Sequence, residues 1–373
     1  SMIPYILILL LLCLGLFYEL YLPSARQDMI SFQHRAVYFF LVSVVALMTG
    51  FRDMIGGYDV YIYAWFFDEI PAIDSLFPWS AGDPSVYFRF EPGYLLLNSV
   101  IKFFCADAYF YFFTVALLTY FLIGKAFRRY PFFVFAFFLF FAKFFIVGFV
   151  YTRQFIAMGI VWWSLRFLEE NRKNVFLVFL LLATTIHYSA FVVFPMYFLA
   201  NRRFSGKFLG IVFVVALVLG VSPFIKWAMA SVNHFLMLDK LDGYAEAAQD
   251  SFHIPYFIET SLVVAGVLYY RKRIYADKKY IVLLNMLVLY SVFSYLTLRD
   301  AGVIRFIWYY FIGYAVLVPV MLFRFVRYKE LILLFVLIYF SFVYFRNVIV
   351  RDDGNFIPYK AVFMDTHRED KFR

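Results

Sequence analysis

The segment PFFVFAFFLFF (131–141) contains only apolar residues, and LILLFVLIYF (331–340) is equally uninterrupted. Over the full 373 residues, 65% are hydrophobic and only 16% are charged, whereas soluble domains are about 45–50% apolar. A soluble protein of this length has too little interior to bury so much apolar surface. Lipid must therefore be the solvent of these segments.

The apolar runs are continuous, whereas a membrane barrel would alternate apolar and polar residues in segments of about ten. The sequence predicts an all-α polytopic membrane protein, with residues 1–373 as a single integral membrane domain. We expect about 11–12 transmembrane or partly re-entrant helices. Their candidate spans are 3–22, 36–50, 91–105, 107–124, 131–149, 154–168, 175–200, 208–222, 257–270, 280–298, 303–323 and 330–346.

The basic residues indicate the orientation of these spans. Six short polar intervals together hold 18 Lys and Arg residues, and the positive-inside rule places such intervals in the cytoplasm. They are 23–35, 125–130, 169–174, 201–207, 271–279 and 324–329. Two extracytoplasmic loop elements then follow, at 51–90 and 223–256, both with interfacial segments. The polar C-terminal tail (347–373) lies on the same outer side.

Two apolar segments are poorly suited to a simple crossing. Residues 91–105 would cover only about 22 Å as a helix, too little to cross the bilayer fully. Residues 175–200 begin and end at cytoplasmic clusters, so this segment must enter and return as two half-helices. Broken helices at membrane depth occur where they line a cavity. His187 lies near the predicted turn.

Positive charge on the outer side is not explained by orientation. The arginines concerned are Arg52, Arg89, Arg153, Arg299 and Arg305. An arginine at membrane depth costs at least about 2.5–3.5 kcal/mol, so each needs a partner. That partner is either a protein carboxylate or carbonyl, or an anionic substrate such as a phosphate. Arg153 has no acidic residue within fifteen positions and is the strongest candidate for substrate binding, followed by Arg305.

Three further polar features lie on this side. His187, in TTIHYSAF (184–191), is either a hydrogen-bonded packing residue or a general base. In GGYDVYIY (56–63), a carboxylate among tyrosines suits sugar binding, although an interfacial aromatic belt would look the same. In RFEPGY (89–94), Glu91 is either a helix cap before Pro92 or an acid–base group.

Several functional classes are excluded by missing motifs. The sequence contains no nucleotide-binding glycine loop, no HExxH, no GxSxG and no paired CxxC. Cys13 and Cys105 lie in apolar runs and predict neither a disulfide nor a metal site. The charge of +9 is explained by topology and does not indicate nucleic-acid binding. An enzyme built this way must use an already activated substrate.

Five short motifs occur in a set order: Arg52 with GGYDVY (56–61), EPGY (91–94), TRQFIA (152–157), IHYSAF (186–191) and AGVIRF (301–306). This order resembles the EpsG-like branch of the Wzy-type polysaccharide polymerases, from about residue 50 to the tail. The resemblance implies a fold similar to C-type glycosyltransferases, which take lipid-linked donors. Gly57 and Val60 stand where many members have Thr or Asn, a departure that bears on the sugar contacts of this loop.

The resemblance implies a multi-pass enzyme of the bacterial inner membrane whose active site faces the extracytoplasmic side. It would extend a glycan on undecaprenyl diphosphate with lipid-linked repeat units, using no cofactor. Its implied partners are undecaprenyl-diphosphate-linked glycans, membrane lipids, a chain-length regulator and a flippase. Nucleic acid is not among them.

The residues receive roles accordingly. The diphosphate would be held by Arg52, Arg153, Arg305 and Arg299. His187 or Glu91 would accept the proton of the acceptor hydroxyl, with Asp59 orienting a sugar hydroxyl or an arginine. The sugar would be contacted by Tyr58, Tyr61, Tyr94 and Gln154. No metal ion is expected in this mechanism.

Three other functions are compatible with much of this pattern. A flippase for lipid-linked oligosaccharide also needs arginines and aromatics, but its polar residues should line both leaflets. An O-acyltransferase could use His187, although its acyl donor would normally be cytoplasmic. A polysaccharide ligase uses the same chemistry as a polymerase and differs in its acceptor.

Overall fold

The computed structural model describes residues 1–21, 32–76, 90–224, 227–228, 252–299, 304–350, 352 and 354–364. Within these ranges the regular elements are helices, without a strand, and one isolated bridge joins Arg52 and Ala361. The predicted all-α polytopic class is therefore confirmed. The chain divides into two compact units.

The first unit comprises residues 1–164, 178–191 and 328–373. Its helices are α1 (Ile3–Tyr21), α2 (Phe32–Gly50), α3 (Tyr58–Glu69), α4 (Pro92–Phe104), α5 (Ala108–Phe127), α6 (Phe133–Val150), most of α7 (Thr152–Glu169), the end of α8 (Lys173–Ile186) and α15 (Lys329–Val350). Helix α6 is the phenylalanine-rich segment, and it contacts α1, α2, α3, α5 and α15. Apart from Lys143, its long side chains are apolar and most are buried, so it forms the centre of this unit.

The N-cap residue of α6 is Phe132, whose side chain cannot accept a hydrogen bond from the first turn. Glu19 of α1 supplies the missing acceptor instead. Its two carboxylate oxygens accept the backbone N–H groups of Val134 and Phe135, both at 2.9 Å. A buried acid in the first helix thus satisfies the open N-terminus of the central one.

The second unit comprises residues 165–177 and 192–327. Its helices are α9 (Met196–Leu199), α10 (Gly206–Val221), α11 (Ile254–Ala276), α12 (Ile281–Leu296), α13 (Ile304–Ile307) and α14 (Phe311–Phe325). Helix α12 is central here and contacts α10, α11 and α14. Its buried Asn285 donates to the carbonyls of Leu199, Ala200 and Arg202 at 2.7–3.0 Å, which fixes the end of α9.

Seven helical segments in the described part of the chain are long and apolar enough to cross a membrane. They are Ile3–Tyr21, Phe32–Gly50, Ala108–Phe127, Phe133–Val150, Lys278–Leu296, Ile304–Phe325 and Lys329–Val350. The larger predicted number included shorter helices. Among these, α4 has 13 residues and is about 20 Å long, so it is too short to span.

The predicted break at His187 is confirmed. Helix α8 ends at Ile186, and the chain continues as a 3₁₀ turn, Tyr188–Val193, before α9. The backbone N–H of His187 still bonds the Ala183 carbonyl at 2.9 Å, so the imidazole projects from the last turn of α8. The depth of this segment in the bilayer stays a prediction.

The predicted loop at 51–90 contains regular structure. Helix α3 and a 3₁₀ turn at Ile73–Ser75 occupy part of it, while residues 77–89 lie outside the described ranges. Most of the other predicted loop, 223–256, also lies outside them. Neither loop's position relative to the membrane is tested.

The C-terminal tail begins later than predicted and is partly packed. Helix α15 continues to Val350, beyond the predicted start of the tail at residue 347. Residues 354–364 then return to the loop that follows α2. Asp53 donates its backbone N–H to the Lys360 carbonyl at 3.0 Å, and Val362 donates to that of Phe51 at 2.9 Å.

Candidate active site

The carboxylate of Glu91 joins three distant parts of the first unit. One oxygen accepts a hydrogen bond from the Arg153 guanidinium, 62 residues further along the chain. The other lies 2.8 Å from Nδ1 of His187 and 3.2 Å from the backbone nitrogen of Tyr188. Three residues singled out from the sequence therefore share one cluster, which we call the Glu91 cluster: Glu91, Arg153 and His187.

Each member lies at the end of a helix. Glu91 is the N-cap residue of α4, with extended backbone and Pro92 at the first helical position. Arg153 is the second residue of α7, and His187 directly follows α8. Helix ends have backbone groups without intrahelical partners, and Glu91 satisfies one of them through Tyr188. Glu91 thus occupies the N-cap position, but its side chain makes no hydrogen bond to the first turn of α4. The carboxylate bonds Arg153, His187 and Tyr188 instead, which favours the site role over the cap role.

Gly93 permits this convergence. A Cβ atom built at Gly93 would lie 2.2 Å from Oγ1 and 2.8 Å from Cβ of Thr185, and 2.9 Å from its backbone carbonyl carbon. The first turn of α4 therefore approaches the last turn of α8 more closely than any side chain allows. This contact sets the distance between Glu91 and His187.

Replacing Gly93 by alanine should lower activity at least about 10-fold, because misplacing a catalytic group by about 1 Å can cost about 10²-fold. The rate of the reaction catalysed by purified protein is the measurement. Gly210→Ala is the matched control, since a Cβ atom there meets nothing within 4 Å. Equal rates for Gly93→Ala and wild type would show that the close approach is dispensable.

The electrostatics keep Glu91 ionised. Burial acts to raise its pKa, but the hydrogen bond from His187 and the charge of Arg153 outweigh burial and hold the pKa below its usual range. An ionised Glu91 holds the proton of His187 on Nδ1 and leaves Nε2 as a hydrogen-bond acceptor. The Glu91 side chain is 5% exposed, whereas Arg153 and His187 are 20% and 24% exposed.

Aromatic rings surround the Arg153 guanidinium. Its Cζ atom lies 4.2 Å from the ring centre of Phe90, 5.7 Å from Tyr94 and 5.9 Å from Tyr63. Its Nε is buried and has no hydrogen-bond partner among the residues that the structure describes. The guanidinium is held by one carboxylate, by the Tyr63 hydroxyl and by these rings. Because a guanidinium has five N–H donors, some remain for an anion.

Arg52 occupies a different environment. It is buried, and its guanidinium donates to the backbone carbonyls of Thr49, Ile55 and Phe149. The rings of Phe112 and Phe149 lie 5.0 and 4.9 Å from its Cζ atom, and burial lowers its pKa to about 10. These contacts hold the loop after α2, so they favour the alternative in which this arginine is satisfied by backbone carbonyls.

The predicted sugar contacts divide by accessibility. Tyr58, at the start of α3, is 54% exposed, whereas Tyr94 and Gln154 are buried. The Tyr94 hydroxyl hydrogen-bonds that of Tyr111, and Tyr61 is half-buried. Of the four, only Tyr58 and Tyr61 present surface to a ligand. Asp59 lies in the first turn of α3.

The remaining predicted arginines lie in the second unit or outside the described residues. Arg299 and Arg305 lie in the second unit, where Arg299 donates to the Val221 carbonyl at 2.9 Å. Arg305 is half-buried in α13, and Arg89 lies outside the described residues. Diphosphate binding by Arg299 and Arg305 stays a prediction.

Sequence reasoning assigned no role to Gly93 or Phe90, and it missed the Tyr188 N–H. The signal for Gly93 was present, because a glycine directly after a capping Glu-Pro pair indicates close backbone approach. No local signal identifies the Tyr188 contact, which depends on the pairing of α4 with α8.

Comparison with protein-family models gives a match to the EpsG family over residues 35–361. The match contains every helix end that contributes to the Glu91 cluster. No curated protein and no solved structure matches the chain.

Proposed function

The chain belongs to the EpsG family, and from this premise we propose that it is a polysaccharide polymerase acting on lipid-linked glycans. The donor we propose is a growing glycan on undecaprenyl diphosphate, and the acceptor is a lipid-linked repeat unit. The observation that carries this proposal is the Glu91 cluster, which combines a cation, an oriented imidazole and an ionised carboxylate.

His187 is the proposed general base. The acceptor hydroxyl oxygen attacks the anomeric carbon of the donor sugar, and its proton passes to Nε2 of His187. The bond between that carbon and the diphosphate oxygen breaks, and its electron pair leaves with undecaprenyl diphosphate. Glu91 orients the imidazole and stabilises the imidazolium that forms, as the carboxylate does in hydrolase triads. Its low pKa makes Glu91 itself a poor proton acceptor.

Arg153 is the proposed binding group for the leaving diphosphate. Negative charge develops on the diphosphate as its bond to the anomeric carbon breaks, and a fixed guanidinium beside it stabilises the transition state. The rings around Arg153 shield it from water, which strengthens the interaction. Arg305 and Arg299 are retained as further candidate diphosphate ligands, whereas the contacts of Arg52 support a structural role.

The proposed sugar contacts are Tyr58 and Tyr61, with Asp59 accepting from a sugar hydroxyl. Their position on α3 next to the helix that carries Glu91 supports this assignment. We place the site at the extracytoplasmic side of the bacterial inner membrane. A flippase that delivers repeat units and a chain-length regulator are further partners that we propose.

Purified protein in liposomes with lipid-linked repeat units should produce a ladder of products on the same lipid. The ladder should also form in EDTA, because the proposed chemistry uses no metal. Movement of intact substrate between leaflets without new bonds would instead support a flippase. A single transfer to a different acceptor would support a ligase, and activity lost in EDTA and restored by a divalent ion would overturn metal independence.

A further inference from the structure

Lys102 links the two helices that flank Arg153. It lies on α4, and its Nζ donates to three backbone carbonyls at the end of α3: Phe67 at 3.0 Å, Asp68 at 2.7 Å and Ile70 at 2.8 Å. An ammonium group has three N–H donors, so these carbonyls use all of them. The ammonium also lies 5.7 Å from the ring centre of Phe67.

This contact satisfies the open end of α3. The last carbonyls of a helix have no intrahelical partner, and a cation there is favoured by the helix dipole. Ordinarily these carbonyls are satisfied by a side chain of the same helix or by water. Here it comes from a neighbouring helix 32–35 residues away in sequence, so the cap is also a tertiary link.

The link matters because both helices form walls around Arg153. Helix α3 provides Tyr63, and the α4 side provides Phe90, Glu91 and Tyr94. The walls also touch at Phe66, which lies 4.7 Å from Phe90 and 5.7 Å from Tyr94. On α4, the ring contacts at Phe90 and Tyr94 lie about two turns before Lys102. On α3, the ring contact at Phe66 lies directly before the carbonyls that Lys102 bonds. Attachments separated along α4 fix its angle to the end of α3 in a way that the ring contacts alone cannot.

We propose that Lys102 is a positioning residue that sets the orientation of α3 against α4 and thereby the geometry of the Arg153 anion site. It does not touch substrate; it acts through α3, which carries Tyr63 and Asp59. This inference rests on the proposed function for its kinetic consequence, while its structural consequence can be tested independently.

The test compares Lys102→Met, which keeps the length of the side chain without its donors, with Lys102→Arg, which keeps charge and donors. Lys102→Met should lower kcat for glycan extension about 10–100-fold, with KM and the shape of the pH–rate profile unchanged. Amide hydrogen exchange at residues 66–70 should become faster. Lys102→Arg should recover most of the rate, and Lys207→Met, an exposed lysine on α10, should match wild type.

The outcomes separate this inference from the proposed function. Wild-type kcat and wild-type exchange in Lys102→Met would overturn the positioning role while leaving the polymerase assignment intact. A wild-type protein without polymerase activity would overturn the function, and faster exchange in Lys102→Met would then still support the link. If Lys102→Met does not fold, Lys102→Gln retains N–H donors without charge. A Lys102→Gln protein with normal exchange but a kcat as low as that of an inactive variant would contradict the proposal.

Discussion

Replacing His187 by glutamine should lower the rate of glycan extension by about 10²–10⁴, the usual contribution of a general base. Glutamine retains a hydrogen-bond donor for Glu91 but offers no nitrogen that accepts a proton at neutral pH. The loss should therefore appear in kcat, with little change in the binding of lipid-linked donor. The product ladder, measured at matched protein and lipid concentrations, gives the rate directly.

His34→Gln is the control for this experiment. His34 lies at the start of α2, where its ring packs 5.0 Å from that of Tyr18, and it takes no part in the Glu91 cluster. It should retain the wild-type rate. A His187→Gln protein that folds and extends glycan within about threefold of wild type would exclude His187 as the base, because a general base typically contributes about 10²–10⁴-fold.

Replacing Arg153 by methionine should have the second largest effect, about 10²–10³ in rate, as for loss of one donor to a developing anion. The loss of rate has two causes, because Arg153 both binds the leaving group and neutralises Glu91. Arg153→Lys keeps the charge but not the planar fork and should fall between wild type and methionine. Arg172→Met, which removes an exposed arginine paired only with Glu170 in the ion pairs described, should leave the rate unchanged.

A second substitution separates catalysis from folding. Arg153→Met leaves the buried carboxylate of Glu91 without its cation, and such unpaired buried charges destabilise proteins. Combining it with Glu91→Gln removes that charge, so thermal stability should recover while activity does not. Recovery of activity in the double variant would mean that Arg153 serves only as a counter-ion and does not bind the leaving group.

Much of the candidate site could be predicted from the sequence because its residues break a strong pattern. In a chain this apolar, Arg153 and His187 are conspicuous, and topology alone places them on one side. Their shared partner was harder to predict from the sequence. Glu91 was identified as a polar residue at a helix start, but the pairing depends on contacts across 62 and 96 residues, which neither spacing nor composition encodes.

Arg52 shows where sequence reasoning reaches its limit. Its position left two kinds of partner open, a protein carboxylate or carbonyl and a diphosphate. The fold surrounds it with carbonyls, one of them from Phe149, 97 positions away, and no local pattern predicts that contact. The same limit applies to Glu19, because its role depends on α6 having an N-cap residue, Phe132, without a capping side chain.

The return of the C-terminal segment has a consequence for biosynthesis. The first helix and the last described residues hold each other, since the Tyr5 hydroxyl donates to the Phe356 carbonyl at 2.7 Å and that of Tyr344 donates to the Tyr5 carbonyl at 3.0 Å. A membrane protein is inserted while the ribosome is still translating it, so α1 enters the membrane long before its partners Tyr344 and Phe356 have been synthesised. The loop after α2 likewise reaches its final arrangement only once residues 360–362 have left the ribosome.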